Sequence, residues 1–405
     1  MKKMKILVSI LLILFTVNTS NAQWVEIDIN TNETLHQIYF VDNDAGYIAG
    51  NNGLLFRTTN GGANWTQINT NVSHNLFSIS FANETTGFIN GLKTTDGGLT
   101  WTPQSASEEF GLIHALDENN LIAGLDGTFS FYGDIYKSSD GGESWEVIAN
   151  PINPLAGAYN DVCFVNDDLG YLSAWYSGHL VKTTDGGANW TEIIIDEVDG
   201  LSFSSDDYRS VYFPTEDIGL VTHQNGILKT SDGGDTWSEI KPAGLDLSFY
   251  PQSIIALSTE DYIVVGGFPN IDELEKIYET SDGGNTWAES VNIQEALFDI
   301  NCTMANCFAV GTNGKVYKKE NIVSSTLDNK DYPTLNIYPN PTKDILSIET
   351  NLSLTEISIL NLNGRLIYTS FEHKDKIDIS HLPSGIYFIK VISDKGVFTK
   401  KVIKK

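Results

Sequence analysis

Residues 183–190 read TTDGGANW, and this octapeptide occurs in six closely similar copies along the chain. The copies are 58–65 (TTNGGANW), 94–101 (TTDGGLTW), 138–145 (SSDGGESW), 183–190, 230–237 (TSDGGDTW) and 280–287 (TSDGGNTW). Their final tryptophans are 36, 44, 45, 47 and 50 residues apart. Periods of roughly 20–50 residues are typical of solenoids, propellers and other repeat folds.

Each copy lies between two short apolar segments of strand character, such as 226–229 and 238–240 around the fifth copy. Asp-Gly-Gly at that place predicts a hairpin turn, because glycine adopts positive φ angles and aspartate caps backbone N–H groups. Two more strands precede each copy, as at 35–42 and 45–51. Four strands per repeat indicate the blade of a propeller, so the predicted fold class is all-β.

The two ends of the repeat region indicate how many blades there are. Three strands without an octapeptide follow the sixth copy, at 297–304, 307–311 and 314–319, while Trp24 to Ile27 resembles the strand after each copy. One strand from the start and three from the end complete a seventh blade and leave no open sheet edge. We therefore predict seven blades, with six or eight as alternatives because the second repeat is abbreviated.

The charge of the chain is large and unevenly distributed. The 405 residues carry 25 Lys+Arg and 52 Asp+Glu, a net charge of −27. Residues 24–330 hold 12 bases and 44 acids, a net of −32, whereas residues 331–405 hold ten bases and eight acids, a net of +2. Such a surface repels polyanions, which argues against nucleic acid and anionic membranes as partners.

The N-terminal 22 residues have the pattern of an export signal. Three lysines precede an apolar run from 6 to 17, which is too short to span a membrane, and small residues follow at 20–22. The mature chain is expected to begin near Gln23. In an exported protein the close pair Cys302 and Cys307 favours a disulfide, with two free thiols as the alternative. No His or further Cys lies at ligand spacing, so neither a metal nor a cofactor is expected.

The octapeptide resembles the Asp-box of sialidases, sortilin-type receptors and the photosystem II assembly-factor family of propellers. This resemblance covers nearly all of residues 24–320 and implies that the boxes hold turns on the rim away from the binding face. The expected structural residues are Asn60, Trp65, Asp96, Trp101, Asp140, Trp145, Asp185, Trp190, Asp232, Trp237, Asp282 and Trp287. Known sialidases hold a substrate carboxylate with three arginines, but the repeat region has only Arg57 and Arg209, which excludes that mechanism. The arginine-rich patch of the photosystem relatives is missing too.

The C-terminal region predicts a second, small β-sandwich. Residues 321–333 read as a polar linker, and strand-like alternation follows in 334–405. This region resembles the type A sorting domain of the type IX secretion system of Bacteroidota. The matching motif residues are Pro339, Asn340, Pro341, Gly364, Gly385 and Tyr387. The resemblance implies that the secretion machinery is a partner and that the protein reaches the cell surface or the medium.

Propeller geometry narrows the candidate ligand residues to the face opposite the boxes. They are His36, Asn160, Asp161, Trp175, Tyr176, Tyr208, Arg209, His223, Gln252 and Asp299, with Arg209 as the only cation expected at the channel mouth. Aromatic, amide and carboxylate groups together suit a glycan, peptide or protein ligand. We expect a monomeric, non-catalytic binding module. The alternative is a secreted glycoside hydrolase or lyase that uses mouth carboxylates.

Overall fold

The computed structural model describes residues 23–405 except 105–109, 126–133, 149–158, 175–178, 196, 199–200, 203–206, 225, 241–249, 268–275, 294, 304, 321–334, 340–341, 351–353, 362–365, 371–374, 384 and 394–395. The chain divides into two compact units, Met1–Ile322 and Val323–Lys405. Within the described ranges no helix is long and apolar enough to cross a membrane.

The described residues of the first unit form seven four-stranded antiparallel sheets, which confirms the seven-bladed propeller. In chain order the inner strands are Leu35–Phe40, Ile79–Phe81, Phe110–Ala115, Tyr159–Phe164, Tyr208–Tyr212, Pro251–Ala256 and Leu297–Cys302. The second strands are Gly46–Gly50, Gly87–Ile89, Leu121–Leu125, Gly170–Ala174, Gly219–His223, Tyr262–Gly266 and Asn306–Gly311. The third strands are Leu55–Thr58, Leu92–Thr94, Ile135–Ser138, His179–Thr183, Gly226–Thr230, Lys276–Thr280 and Val316–Glu320. The outer strands are Thr66–Ile68, Thr102–Pro103, Glu146–Ile148, Thr191–Ile194, Ser238–Ile240, Ala288–Asn292 and, for blade 7, Val25–Ile27.

Three short elements lie between these strands. A 3₁₀ turn follows the second strand in blades 1 and 7, at Asn51–Gly53 and Thr312–Gly314. A two-stranded hairpin, Glu197–Val198 with Leu201–Ser202, lies between blades 4 and 5. The inner strands of neighbouring blades contact one another around the central channel.

The strand Val25–Ile27, near the N-terminus, closes the ring. Val25–Ile27 pairs antiparallel with Val316 to Lys318 and becomes the outer strand of blade 7, as predicted. Trp24 is 4% exposed, and its indole Nε1 donates to Glu279 Oε1 of blade 6 at 2.7 Å. The ammonium of Lys319 in blade 7 forms an ion pair with the other oxygen of Glu279. One carboxylate of blade 6 therefore holds both chain segments that complete blade 7.

Each Asp-box is a turn stabilised by its own side chains. In the second box, Asp96 Oδ1 accepts hydrogen bonds from Thr94 Oγ1 (2.8 Å) and from the backbone N–H of Thr100 (2.9 Å), and Asp96 Oδ2 accepts from Thr100 Oγ1. In four boxes, hydrogen bonds from the hydroxyl and the backbone N–H of the residue four positions after the aspartate lower the pKa of its carboxyl to about 2. These aspartates are Asp96, Asp140, Asp232 and Asp282. Asn60 Oδ1 accepts in the same way, from the N–H of Asn64 at 2.9 Å.

The boxes also join neighbouring blades. Gly98 has φ +71°, and a Cβ added there would lie 2.4 Å from the ring of Tyr47 in blade 1, so only glycine fits. The lysine before a box donates to the first glycine carbonyl of the next box, as Lys93 does to Gly141, Lys182 to Gly233 and Lys229 to Gly283. Glu279 replaces this lysine in blade 6, where no box follows and Lys319 and Trp24 are the partners instead.

The box tryptophans pack inside the blades. Trp101, Trp190 and Trp287 are buried, and Trp65, Trp145 and Trp237 are half-buried. Trp101 meets Phe81 edge-to-face at 6.0 Å, and Trp190 meets Phe164 in the same way. Each ring thus covers the end of the inner strand of its own blade.

The second unit consists of two sheets that pack face to face. One has the strands Leu335–Tyr338, Ile345–Thr350 and Lys376–Asp378. The other has Leu366–Ser370, Leu354–Asn361, Gly385–Ser393 and Gly396–Lys404 in spatial order. Leu346 and Ile348 of the first sheet share a core with Ile357 and Ile389 of the second. Among the motif residues, Pro339 follows Leu335–Tyr338, Gly385 begins a strand, and Tyr387 is buried, whereas Asn340, Pro341 and Gly364 lie outside the described residues.

Candidate functional site

The boxes and the turns between inner and second strands share one face of the propeller. In each box the N–H of the first glycine donates to a carbonyl in that turn, as Gly97 does to Thr85 (2.9 Å) and Gly233 to Asp217 (2.8 Å). The inner strands therefore run towards this box face. They begin at the opposite face, which we call the mouth face.

Six of the seven inner strands have a β-bulge directly after their first residue. A bulge re-aims a side chain out of the regular alternation and is common next to functional sites. The second position of each of these six strands therefore differs from the rest, at the end where the channel opens on the mouth face. In blade 2 the inner strand begins at Ile79 without a bulge, and Phe77 holds the equivalent place two residues before it. We call these residues the bulge ring: His36, Phe77, Gly111, Asn160, Arg209, Gln252 and Phe298.

One half of the bulge ring is aromatic. The His36 ring lies 4.6 Å from that of Phe77 in blade 2 and 6.2 Å from that of Phe298 in blade 7. His36 Nε2 is 2.7 Å from Asn51 Oδ1, which fixes the orientation of the imidazole. We call Phe298, His36 and Phe77, all half-buried, the aromatic strip.

The other half of the bulge ring is polar. An amino group of Arg209 donates to Tyr250 Oη at 2.9 Å, and the guanidinium lies 5.2 Å from the centre of that ring. Asp207 is 3.7 Å from the same amino group, so the charge of Arg209 has a counterion. Asn160 Nδ2 donates to the Tyr208 carbonyl (2.8 Å), and Gln252 Nε2 donates to the Gly267 carbonyl (3.2 Å).

A belt of mostly polar side chains lies one residue deeper. Its members directly follow the bulge ring in each blade: Gln37, Ser78, Leu112, Asp161, Ser210, Ser253 and Asp299. Four of them, Gln37, Ser78, Asp161 and Asp299, accept hydrogen bonds from backbone N–H groups of the next blade, as Gln37 does from Ile79 and Ser78 from Ile113. Because these amides lie on the open edge of the inner strands, the belt satisfies groups that the sheets leave unpaired.

The two carboxylates of the belt have unusual electrostatics. Asp161 accepts from the Ser210 hydroxyl (2.8 Å) and from the N–H of Val211 (3.0 Å). Burial raises the pKa of Asp161 to about 6, although these hydrogen bonds lower it. Asp299 accepts from the N–H of Ile38 (3.0 Å) and from the Ser253 hydroxyl (3.0 Å).

Asp299 has the larger shift of the two. Burial raises its pKa to about 7, and the negative charge of Asp161 adds to the rise. Hydrogen bonds from Ile38, Ser253 and Ile300 lower the pKa but do not cancel the effect of burial. The two carboxylates therefore interact electrostatically and titrate near neutral pH.

Several expectations from the sequence need correction. Asp161 and Asp299 lie below the rim, where they accept hydrogen bonds from neighbouring blades. Tyr208 and His223 are 0% and 1% exposed, because they face each other as a strand pair inside blade 5. They are not surface ligand groups. Trp175 and Tyr176 lie outside the described residues.

Sequence reasoning found His36, Asn160, Arg209 and Gln252 of the bulge ring but missed Phe77 and Phe298. The signal was available, since all six residues lie two positions before an apolar residue of an inner strand. Aligning the seven inner strands by that apolar residue, such as Ile38 and Ile300, would have found both phenylalanines.

The cysteines and acidic groups offer no further site. Cys302 and Cys307 face each other on paired strands of blade 7 and form a disulfide. Burial raises the pKa of the Cys163 thiol to about 12, and its sulfur accepts from the N–H of Phe213, so it is an unreactive thiol. In the part of the chain that the structure describes, no cluster of three or more His, Cys, Asp or Glu side chains could hold a metal ion.

Two family models match the chain. The model for the photosynthesis system II assembly factor YCF48 matches residues 16–157 and 151–321. The chain belongs to the YCF48 family. A second model, for the secretion system C-terminal sorting domain, matches residues 336–405, so this YCF48-family propeller has a type IX sorting tail. The tail implies export across the outer membrane. No curated protein matches the sequence.

Solved structures share the fold of this YCF48-family chain at low identity. YCF48 bound to D1 peptide is 19% identical, with a TM-score of 0.60, over 74% of this chain and 96% of that one. PorZ, a bacterial surface component of the type IX secretion system of Porphyromonas gingivalis, is 13% identical, with a TM-score of 0.57. The match covers 92% of this chain and 59% of PorZ. The GH74 enzyme of Niastella koreensis is 15% identical, with a TM-score of 0.57, and the match covers 94% of this chain and 67% of the enzyme.

Proposed function

We propose that the protein is an exported, non-catalytic binding module whose bulge ring holds a segment of peptide or protein. The observation that carries this proposal is the bulge ring itself. Aromatic side chains on blades 7, 1 and 2 face polar side chains on blades 4, 5 and 6 across one channel mouth. Such a mixture of apolar contact area and fixed polar groups is typical of ligand sites.

A peptide is favoured by one family member. YCF48, whose propeller has the same fold, has been solved with a D1 peptide bound. Glycan remains the competing ligand, since sugars also stack on aromatic rings. The residues 1–22 would be the export signal and 321–333 the linker to the sorting tail.

Binding screens on the exported chain, residues 23–405, test this proposal. The protein should retain members of an amidated hexapeptide library, and Phe298→Ala should weaken retention about tenfold, since a buried aromatic contact is worth roughly 1–2 kcal/mol. Leu99→Ala is the matched control, because Leu99 is an exposed apolar residue on the box face. Retention of glycans in place of peptides would contradict the ligand class, and no retention of either would contradict the proposal.

A secreted glycoside hydrolase is the second candidate function, and the pKa values of Asp161 and Asp299 favour it. An acid near pKa 6–7 is what general acid catalysis at neutral pH requires. Against it, both carboxylates already accept two or more hydrogen bonds from neighbouring strands. Release of reducing sugar from xyloglucan or another β-glucan, abolished by Asp299→Asn, would establish the enzyme and overturn the binding module.

A further inference from the structure

Three rings from three successive blades form one continuous surface at the mouth. The His36 ring of blade 1 lies beside both Phe298 of blade 7 and Phe77 of blade 2, and all three are half-buried. The second and third strands of blades 7 and 1 are joined by tight 3₁₀ turns, Thr312–Gly314 and Asn51–Gly53. Ring faces carry partial negative charge, which attracts a cation placed over them.

The propeller that carries the aromatic strip has a strongly negative net charge. Asp299 directly follows Phe298 in the same strand, and Asp161 raises its pKa by Coulombic repulsion. Among the described residues, no Lys, Arg or His forms an ion pair with either carboxylate. The whole propeller region, 24–330, has 12 bases against 44 acids.

The one arginine of the bulge ring does not neutralise this region. Arg209 belongs to blade 5, on the polar half of the ring. Its guanidinium contacts Tyr250 and lies within 3.7 Å of Asp207. Its charge is therefore compensated locally.

We propose that the aromatic strip receives a basic side chain, lysine or arginine, of the peptide ligand, with the cation over the rings. This inference rests on the proposed function and adds the chemical class of the ligand. The apolar stem of a long basic side chain would cover the rings, and its positive charge would be attracted by the ring faces and by the negative net charge of the propeller. An apolar side chain would lack that attraction, and an acidic one would be repelled.

Positional hexapeptide libraries test this directly. Each library is acetylated and amidated, has one fixed central residue and is measured by fluorescence anisotropy against residues 23–405. The fixed residues are lysine, arginine, their neutral analogues acetyl-lysine and citrulline, and glutamate. We expect the lysine and arginine libraries to bind about tenfold more tightly than the neutral ones, which corresponds to a cation–π contact reinforced by one opposite charge.

Variants connect that preference to the strip. Phe298→Ala and Phe77→Ala should each reduce the affinity for the basic libraries about tenfold. At pH 8, where Asp299 is mostly ionised, Asp299→Asn, which keeps an oxygen to accept from Ile38, should reduce the preference for lysine over acetyl-lysine while leaving the neutral libraries unchanged. Leu99→Ala on the box face should change nothing. Unaltered circular dichroism and thermal unfolding will show that each variant is folded.

The outcomes separate this inference from the proposed function. Equal binding of basic and neutral libraries, or a basic preference that survives both phenylalanine variants, would overturn the inference and leave a peptide-binding mouth. Binding of neutral glycans with no binding of any peptide library would overturn both. Preference for glutamate would show that Arg209, and not the aromatic strip, selects the ligand.

Discussion

Asp299→Asn should make the propeller's stability less dependent on pH. The pKa of Asp299 is raised from 3.8 to about 7 in the folded chain. The folded state therefore binds a proton that the unfolded state has already released, and this favours folding at low pH. As the pH rises from about 4 to about 7, that contribution to the free energy of unfolding is lost.

The size of the effect follows from the shift. Each pKa unit corresponds to about 1.4 kcal/mol, so between pH 5 and pH 8 Asp299 removes about 2–3 kcal/mol of unfolding free energy from the wild type. This is an upper figure, because the side chain is half-buried and solvent screens part of its charge. Asparagine cannot ionise. Between pH 5 and pH 8 the stability of the variant relative to the wild type should therefore rise by up to that amount, which corresponds to about 4–6 °C in melting temperature.

Tryptophan fluorescence during urea unfolding is a suitable assay, because all eight tryptophans lie between residues 24 and 287 and report the propeller alone. Asp96→Asn is the matched control. The pKa of Asp96 is lowered to about 2, so this group is ionised in both states from pH 5 to pH 8 and its replacement should have a constant effect. Parallel stability curves for wild type and Asp299→Asn would refute the reasoning, as would an equal pH-dependent difference for Asp96→Asn.

Three further outcomes are expected. Glu279→Ala should lower the free energy of unfolding, measured by calorimetry, by about 2–3 kcal/mol, because it removes the partner of both Trp24 and Lys319. The control Glu289→Ala, at an exposed residue, should lower it by less than 1 kcal/mol. Gly98→Ala should cost about 2 kcal/mol or more in the same assay, because its Cβ would meet Tyr47 at positive φ; no loss would contradict the close approach. Deleting residues 336–405 should retain the propeller in the periplasm, as immunoblots of cell fractions and medium will show, and unchanged secretion would contradict the role of the tail.

Much of the architecture was predictable because it depends on local chemistry. Six Asp-Gly-Gly turns followed by tryptophan define four-stranded units, since the positive φ angles and the capping carboxylate require those residue types. The strand at Trp24 was recognisable because it repeats the apolar and polar order of the strand after each box. Ring closure was predictable as well. The single strand near the N-terminus and the three strands after the sixth box would each leave an open sheet edge, and pairing them removes both edges.

The candidate site was only partly predictable. Arg209 was expected as the only cation at the mouth, and the fold brings Tyr250 and Asp207, 41 and two residues away, to its guanidinium. Asp161 and Asp299 were expected around the mouth as ligand residues, yet they accept hydrogen bonds from the amide N–H groups of Val211 and Ile38 in neighbouring blades. Their partners lie 50 and 261 residues away, so no local pattern indicates them.

The sequence by itself therefore determined the blades, the turns that hold them and the export tail, because each is encoded within about ten residues or in one repeated unit. It favoured seven blades, and the structure excluded six and eight. Only the tertiary structure decided which side chains meet at the channel. The closed ring places Phe298 and Phe77 on either side of His36 although the three are far apart along the chain. Such contacts depend on closing the ring, which sets distances between blades that no single blade contains.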